Sequence, residues 1–217
     1  MNAEHEKRLA AEAAAELVAD GMTVGLGTGS TVAYLLPALA RRSLDLRCVA
    51  TSTRTEQAAA ALGLRIEPFT AIDRLDLTID GADQITPDGW LVKGAGGAHT
   101  REKVVAAAAT CFVVIADSSK PVPALRPPVP LELLRFGLEA TRRRLGSVTL
   151  RAVPPSPDGG VIADYGRPFD DPNTLADLLG STPGVVGHGL FPPDLVSVVL
   201  VGRGETVERT DYGPDAP

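Results

Sequence analysis

Short apolar runs alternate with amphipathic stretches along most of the chain. Residues Ala3 to Asp20 carry Leu9, Ala13 and Leu17 at i, i+4 spacing, which predicts a helix with one apolar stripe ending at Gly21. MTVGL then reads as a strand, VAYLLPALARR as a helix kinked or broken early at Pro37, and LRCVATS as a second strand. TSTRTEQAAAALG predicts a loop and helix closed by Gly63, followed by the short run RIEPF. LDLTID and WLVK read as further strands, Glu102 to Thr110 as a helix, and CFVVIAD as a fully buried strand. This alternation predicts an α/β fold with a mostly parallel, Rossmann-like sheet flanked by helices.

The rhythm changes after Lys120. PVPALRPPVP has five prolines in ten residues and predicts a crossing between domains. Beyond it come strand (VPLELL), helix (FGLEATRRRLG), strand (SVTLRAV), turn (PPSPDGG), strand (VIADYG), helix (NTLADLLG) and strand (VVGHGLF). That order is the split βαβ pattern of a small ferredoxin-like α+β domain. LVSVVLVG and the polar tail ETVERT follow.

Composition narrows the function classes. A chain of 217 residues with 44% hydrophobic and 22% charged residues is ordinary for a globular protein. Its net charge of −6 argues against nucleic acid as a main partner, while leaving room for a small phosphorylated ligand held by a few lysines. No apolar run approaches the length of a membrane span or signal core. Cys48 and Cys111 sit in apolar runs and read as buried thiols. His5, His99 and His188 are scattered, without metal-ligand spacing. The expectation is a cytoplasmic protein whose activity needs no metal and no other cofactor.

Candidate chemistry is concentrated in DGADQITPDGWLVKGAGGAHTREK, Asp80 to Lys103. A strand feeds Asp80 and Asp83, separated by Gly81 and Ala82, which are too small to keep a ligand off the backbone. A second strand delivers Lys93 to Gly94, Ala95, Gly96 and Gly97, and Glu102 opens the helix beyond. Loops at the carboxyl ends of strands are where open α/β sheets bind ligands. Upstream, Thr28, Gly29, Ser30 and Thr31 of GTGST form a Gly- and hydroxyl-rich turn before a helix, the shape of an anion site. A dinucleotide fingerprint would need Gly where Ser30 stands, and a P-loop would need a GK[ST] that is absent. Lys120 follows the CFVVIAD strand in ADSSK.

DGAD, KGAGG-x-x-x-REK and GTGST together resemble the type A ribose-5-phosphate isomerase family, and the likeness covers nearly the whole chain. The resemblance implies interconversion of D-ribose 5-phosphate and D-ribulose 5-phosphate through an enediolate, in the non-oxidative pentose phosphate pathway. It implies Glu102 as proton acceptor, with Lys93, Asp80 and Asp83 as catalytic partners. Substrate contacts would come from Thr28, Gly29, Ser30, Thr31, Asp80, Gly81, Ala82, Asp83, Lys93, Gly94, Ala95, Gly96 and Lys120, and from Lys7 near the start of the first helix. It further implies that the C-terminal strand returns to the first domain, giving 1–125 with 194–217 as the catalytic unit and 126–193 as an insertion. A homodimer or homotetramer would be usual. Gln84 stands where the family often has Glu, Ala95 where it often has Gly, and His99 where an apolar residue is common. A non-catalytic sugar-phosphate sensor of the same fold is the rival reading. Such a sensor would need an attached DNA-binding segment and has no use for Glu102 and Lys93 together.

Overall fold

The structure, a computed structural model, describes residues 3–213. In chain order the elements are α1 (Ala3–Ala15), β1 (Thr23–Leu26), α2 (Val32–Arg41), β2 (Arg47–Ala50), α3 (Thr53–Ala61), β3 (Leu75–Gly81), β4 (Gln84–Ile85) and β5 (Leu91–Val92). They continue with α4 (His99–Ala107), β6 (Ala109–Asp117), β7 (Val129–Leu133), α5 (Leu138–Leu145), β8 (Val148–Leu150) and β9 (Val161–Tyr165). The last are α6 (Pro172–Ser181), β10 (Val185–His188), β11 (Leu190–Phe191), β12 (Val198–Arg203) and β13 (Thr206–Asp211).

The main sheet has six strands in the order β13-β12-β6-β3-β1-β2, all parallel except the terminal β12–β13 hairpin. Both faces are covered, and β6 shows why its sequence is apolar throughout. Cys111, Val113 and Ile115 pack with α1 and α2 on one side, while Phe112, Val114 and Ala116 pack with Ala106 of α4 and Phe191 on the other. The small sheet, order β10-β7-β9-β8, is antiparallel and carries the predicted β-α-β-β-α-β connectivity. It lies in the chain between β6 and β12. A three-stranded ribbon, β11-β5-β4, joins the run after β10 to β5, the strand that leads into Lys93.

Three local expectations need correction. The buried face of α1 is Ala10, Ala11, Ala14 and Ala15, with Leu9, Ala13 and Leu17 only part-buried beside it, and the helix ends at Ala15 rather than near Asp20. Alanine is small enough for either face to pack closely, so spacing alone does not set the phase. Pro37 does not break α2, which runs four residues past it. VVGHGLF is not one strand: β10 pairs in the small sheet and β11 in the ribbon. The polar tail is strand β13, an edge whose exposed residues suit a strand with one free side.

Candidate active site

The site lies at the carboxyl ends of β1, β3 and β6. Its lining comprises Thr28, Gly29, Ser30, Thr31, Ser52, Arg54, Gly81, Ala82, Asp83, Lys93, Gly94, Ala95, Gly96, Glu102 and Lys120 around a cleft of about 410 Å³. Nearly every residue predicted from the sequence is therefore in one place. Two are not in the lining: Lys7 pairs with Glu4 at 2.7 Å on α1, and Asp80 lies one layer deeper.

Lys93 is the centre. Its ammonium sits 2.9 Å from Asp80 Oδ2 and 3.1 Å from Glu102 Oε2, and donates to the carbonyl of Gly81 at 2.5 Å. All three groups are buried, with Asp80 1%, Lys93 2% and Glu102 3% exposed. Burial opposes charge on each of them, but the two carboxylates hold the Lys93 pKa above its ordinary value. For Glu102, burial and then the nearby Asp80 push the carboxyl up to about 8, against the pull of Lys93. Asp80 is also raised, chiefly by burial. Two carboxylates thus share one cation, and Glu102 is left as a base poised near neutral pH.

Local structure explains this geometry. Asp80 is the penultimate residue of β3, and its Oδ1 accepts the backbone N–H groups of Gly81 (2.7 Å) and Thr28 (3.1 Å). Gly27 is the residue this requires, since a Cβ there would lie 1.9 Å from Asp80 Cγ. Asp83 Oδ2 accepts the Ala95 N–H at 2.9 Å, tying the DGAD turn to the KGAGG loop. Helix α4 starts at His99, earlier than predicted, so Glu102 lies in its first turn. Its neighbours point elsewhere, Arg101 to Asp158 and Lys103 to the carbonyl of His188.

The GTGST turn is partly committed internally. Thr28 Oγ1 lies within 2.7–3.1 Å of the hydroxyls of Thr51, Ser52 and Thr55, leaving Ser30, the backbone of the turn and the lysine and arginine side chains to face a ligand. Ser52 and Arg54 carry no signal in the sequence. They enter because the start of α3 reaches the cleft, a tertiary fact with no motif of its own. Among the described residues no group of three or more His, Cys, Asp or Glu side chains could hold a metal ion, and no helix is long and apolar enough to cross a membrane.

Residues 47–206 match the sequence model of the family described as Ribose 5-phosphate isomerase A (phosphoriboisomerase A). A ribose-5-phosphate isomerase A from Caulobacter vibrioides is 45% identical over 225 residues, covering 96% of this chain and 99% of its own length. The chain belongs to the ribose-5-phosphate isomerase A family. The crystal structure of ribose 5 phosphate isomerase A from Neisseria gonorrhoeae superposes with a TM-score of 0.93 at 32% identity, covering 98% of both chains. A D-ribose-5-phosphate isomerase in complex with phospho-erythronic acid gives 0.92 at 33% identity, covering 97% of this chain and all (100%) of its own. In this ribose-5-phosphate isomerase A chain, Gln84 has a structural role. Its amide donates to the Arg126 carbonyl (2.9 Å) and accepts the Arg126 N–H (2.8 Å), a two-way bond that ionised Glu cannot make. His99 is wholly buried against Gly94, and burial followed by the Lys103 charge lowers it to about 4, so it is neutral and outside the lining.

Proposed function

We propose that this protein interconverts D-ribose 5-phosphate and D-ribulose 5-phosphate by moving one proton between C2 and C1 of the open-chain sugar. The observation that carries the reading is Lys93 seated between Asp80 and Glu102, with Glu102 and Lys93 both opening on a cleft that also holds Lys120 and the GTGST turn. Glu102 takes the C2 proton, the C–H electrons form the C1–C2 double bond, and negative charge moves to O1. Glu102 then returns the proton to C1, while the O2 hydroxyl loses its proton and O1 gains one. A positioned base contributes roughly 10²–10⁴ in rate, and one oxyanion donor about 3 kcal/mol.

The ion-pair geometry couples these two contributions. The ammonium donates to the Gly81 carbonyl and is held between Asp80 and Glu102 as ion pairs. When Glu102 accepts the substrate proton it becomes neutral and its hold on Lys93 weakens. The ammonium is released toward the oxyanion at the moment the oxyanion forms. Asp80, buried behind Lys93, acts as the fixed counter-charge rather than as a sugar ligand. The phosphate is placed at the GTGST turn and Lys120, away from the three acids. Lys7, paired to Glu4, has no part in this account.

We read 1–125 with 194–217 as the catalytic unit and 126–193 as an inserted unit that braces it, in a cytoplasmic protein of the non-oxidative pentose phosphate pathway. A homodimer or homotetramer is the assembly the family suggests. A non-catalytic sensor is not favoured, since binding alone has no use for a buried carboxyl whose pKa is raised to about 8. The direct test is to incubate purified protein with ribose 5-phosphate and follow ketose formation; no ketose at micromolar protein would reject the reading.

A further inference from the structure

The loop that carries Gly94 to Gly97 is held by the small sheet, through a residue outside the cleft lining. Arg151, the residue after β8, donates Nη1 to the carbonyls of Gly94 (2.8 Å) and Ala95 (3.0 Å). The rest of its guanidinium is locked by Asp164 of β9 in a two-point pair, 2.7 Å from Nε and 2.6 Å from Nη2. Both side chains are mostly buried, at 19% and 22% exposure. The loop has little freedom to choose another path. Gly94 has φ +113°, and a Cβ there would lie 2.7 Å from His99 Nδ1 and 2.8 Å from Pro130 of β7. On the cleft side, Asp83 receives the Ala95 N–H at 2.9 Å. Ala95 is thus gripped at its carbonyl by Arg151 and at its N–H by Asp83.

We infer that Arg151, oriented by Asp164, is a positioning residue for the isomerisation: through the Gly94 and Ala95 carbonyls it sets the KGAGG loop and, through Ala95, the carboxylate of Asp83. This inference rests on the functional reading above. A planar fork makes two carbonyl bonds and a two-point carboxylate pair together, four bonds, more than the three N–H groups of an ammonium or the two of an amide supply. Its loss frees the loop by a fraction of an ångström to an ångström, and misplacement of about 1 Å costs on the order of 10²-fold in rate.

The test measures kcat and KM for wild type, Arg151→Gln, Arg151→Lys, Asp83→Ala and the Arg151→Gln/Asp83→Ala double variant, each at a temperature where circular dichroism shows it folded. Arg151→Gln should lose about 10- to 100-fold in kcat/KM, and Arg151→Lys should recover part of it. The acidic limb of the pH profile should stay where Glu102 puts it. In the Asp83→Ala background, where nothing accepts the Ala95 N–H, the same Arg151 change should cost less than about threefold, because the two act through one peptide unit. Kinetics within twofold of wild type for folded Arg151→Gln would overturn the inference, as would an undiminished loss in the Asp83→Ala background. If Arg151→Gln does not fold, Arg151→Lys decides: unchanged kcat/KM overturns the inference, and a loss that shrinks when paired with Asp83→Ala supports it. Failure of the wild type to form ketose would reject the functional reading itself and this inference with it.

Discussion

Glu102→Gln separates the chemistry of the site from its stability. The amide keeps the size of the side chain and can still accept from Lys93, but it cannot take a proton from carbon. Turnover should fall by about 10²–10⁴, equivalent to roughly 3–5 kcal/mol of barrier. Stability should move the other way. With an ordinary value of 4.5 and a folded value of about 8, Glu102 keeps a proton in the folded state that the unfolded chain has released. The folded state binds more protons across that window, so Glu102 makes stability fall as pH rises from about 4.5 to about 8. A tenfold difference in proton affinity between folded and unfolded chains is worth about 1.4 kcal/mol, so the ionised carboxylate costs the fold on the order of a few kcal/mol above pH 8. Gln has no such charge. The variant should therefore match wild type in thermal stability near pH 4.5 and exceed it by several degrees at pH 9, at about 2–4 °C per kcal/mol for a chain of this size. Thermal melts at pH 5, 7 and 9, with ketose formation measured alongside, make the comparison. A variant less stable than wild type at pH 9, or one retaining a tenth of the turnover, would refute the reasoning.

Two further perturbations probe the support and the phosphate. Gly27→Ala places a Cβ 1.9 Å from Asp80 Cγ, so Asp80 must shift and Lys93 loses its fixed counter-charge; turnover should drop about 10²–10³-fold, and a variant with wild-type kcat would show that the Asp80–Lys93 geometry is not needed. Lys120→Ala should weaken binding of ribose 5-phosphate about 10- to 100-fold, as loss of one charge-assisted bond implies, while hardly changing affinity for ribose. Equal losses for both ligands in a calorimetric competition would move Lys120 from the phosphate to the sugar.

The legible part of this molecule is the part encoded locally. An apolar run such as CFVVIAD announces a strand covered on both faces. DGAD, KGAGG and REK each fix a strand end, a loop and a helix start whose side chains need only adjacent strands to converge. What stays hidden depends on partners distant in sequence or on packing phase. The buried Glu6 shows this: it accepts from Ser118 and from the Gly204 N–H, and those bonds lower its carboxyl to about 2, yet in sequence it is one more acid on an Ala/Glu helix. Lys7, one residue on, pairs with Glu4 on the same helix and is not among the lining residues of the cleft. Arg151 and Arg54 reach the site's loop and lining from segments with no motif. Asp83 is legible as a site residue but not in its partner, because the turn of the KGAGG backbone toward it cannot be read from residue types.

The fate of the C2 hydrogen reports on Glu102 itself. Ribose 5-phosphate carrying deuterium at C2, turned over in ordinary water, should form ribulose 5-phosphate with partial loss of label to solvent. The remaining label should appear at C1, and Glu102→Gln should abolish both transfer and exchange. This is the result expected if one carboxylate takes the proton and returns it to the neighbouring carbon. Ketose formation with transfer and exchange unchanged in Glu102→Gln would contradict the account, because the base would then be another group.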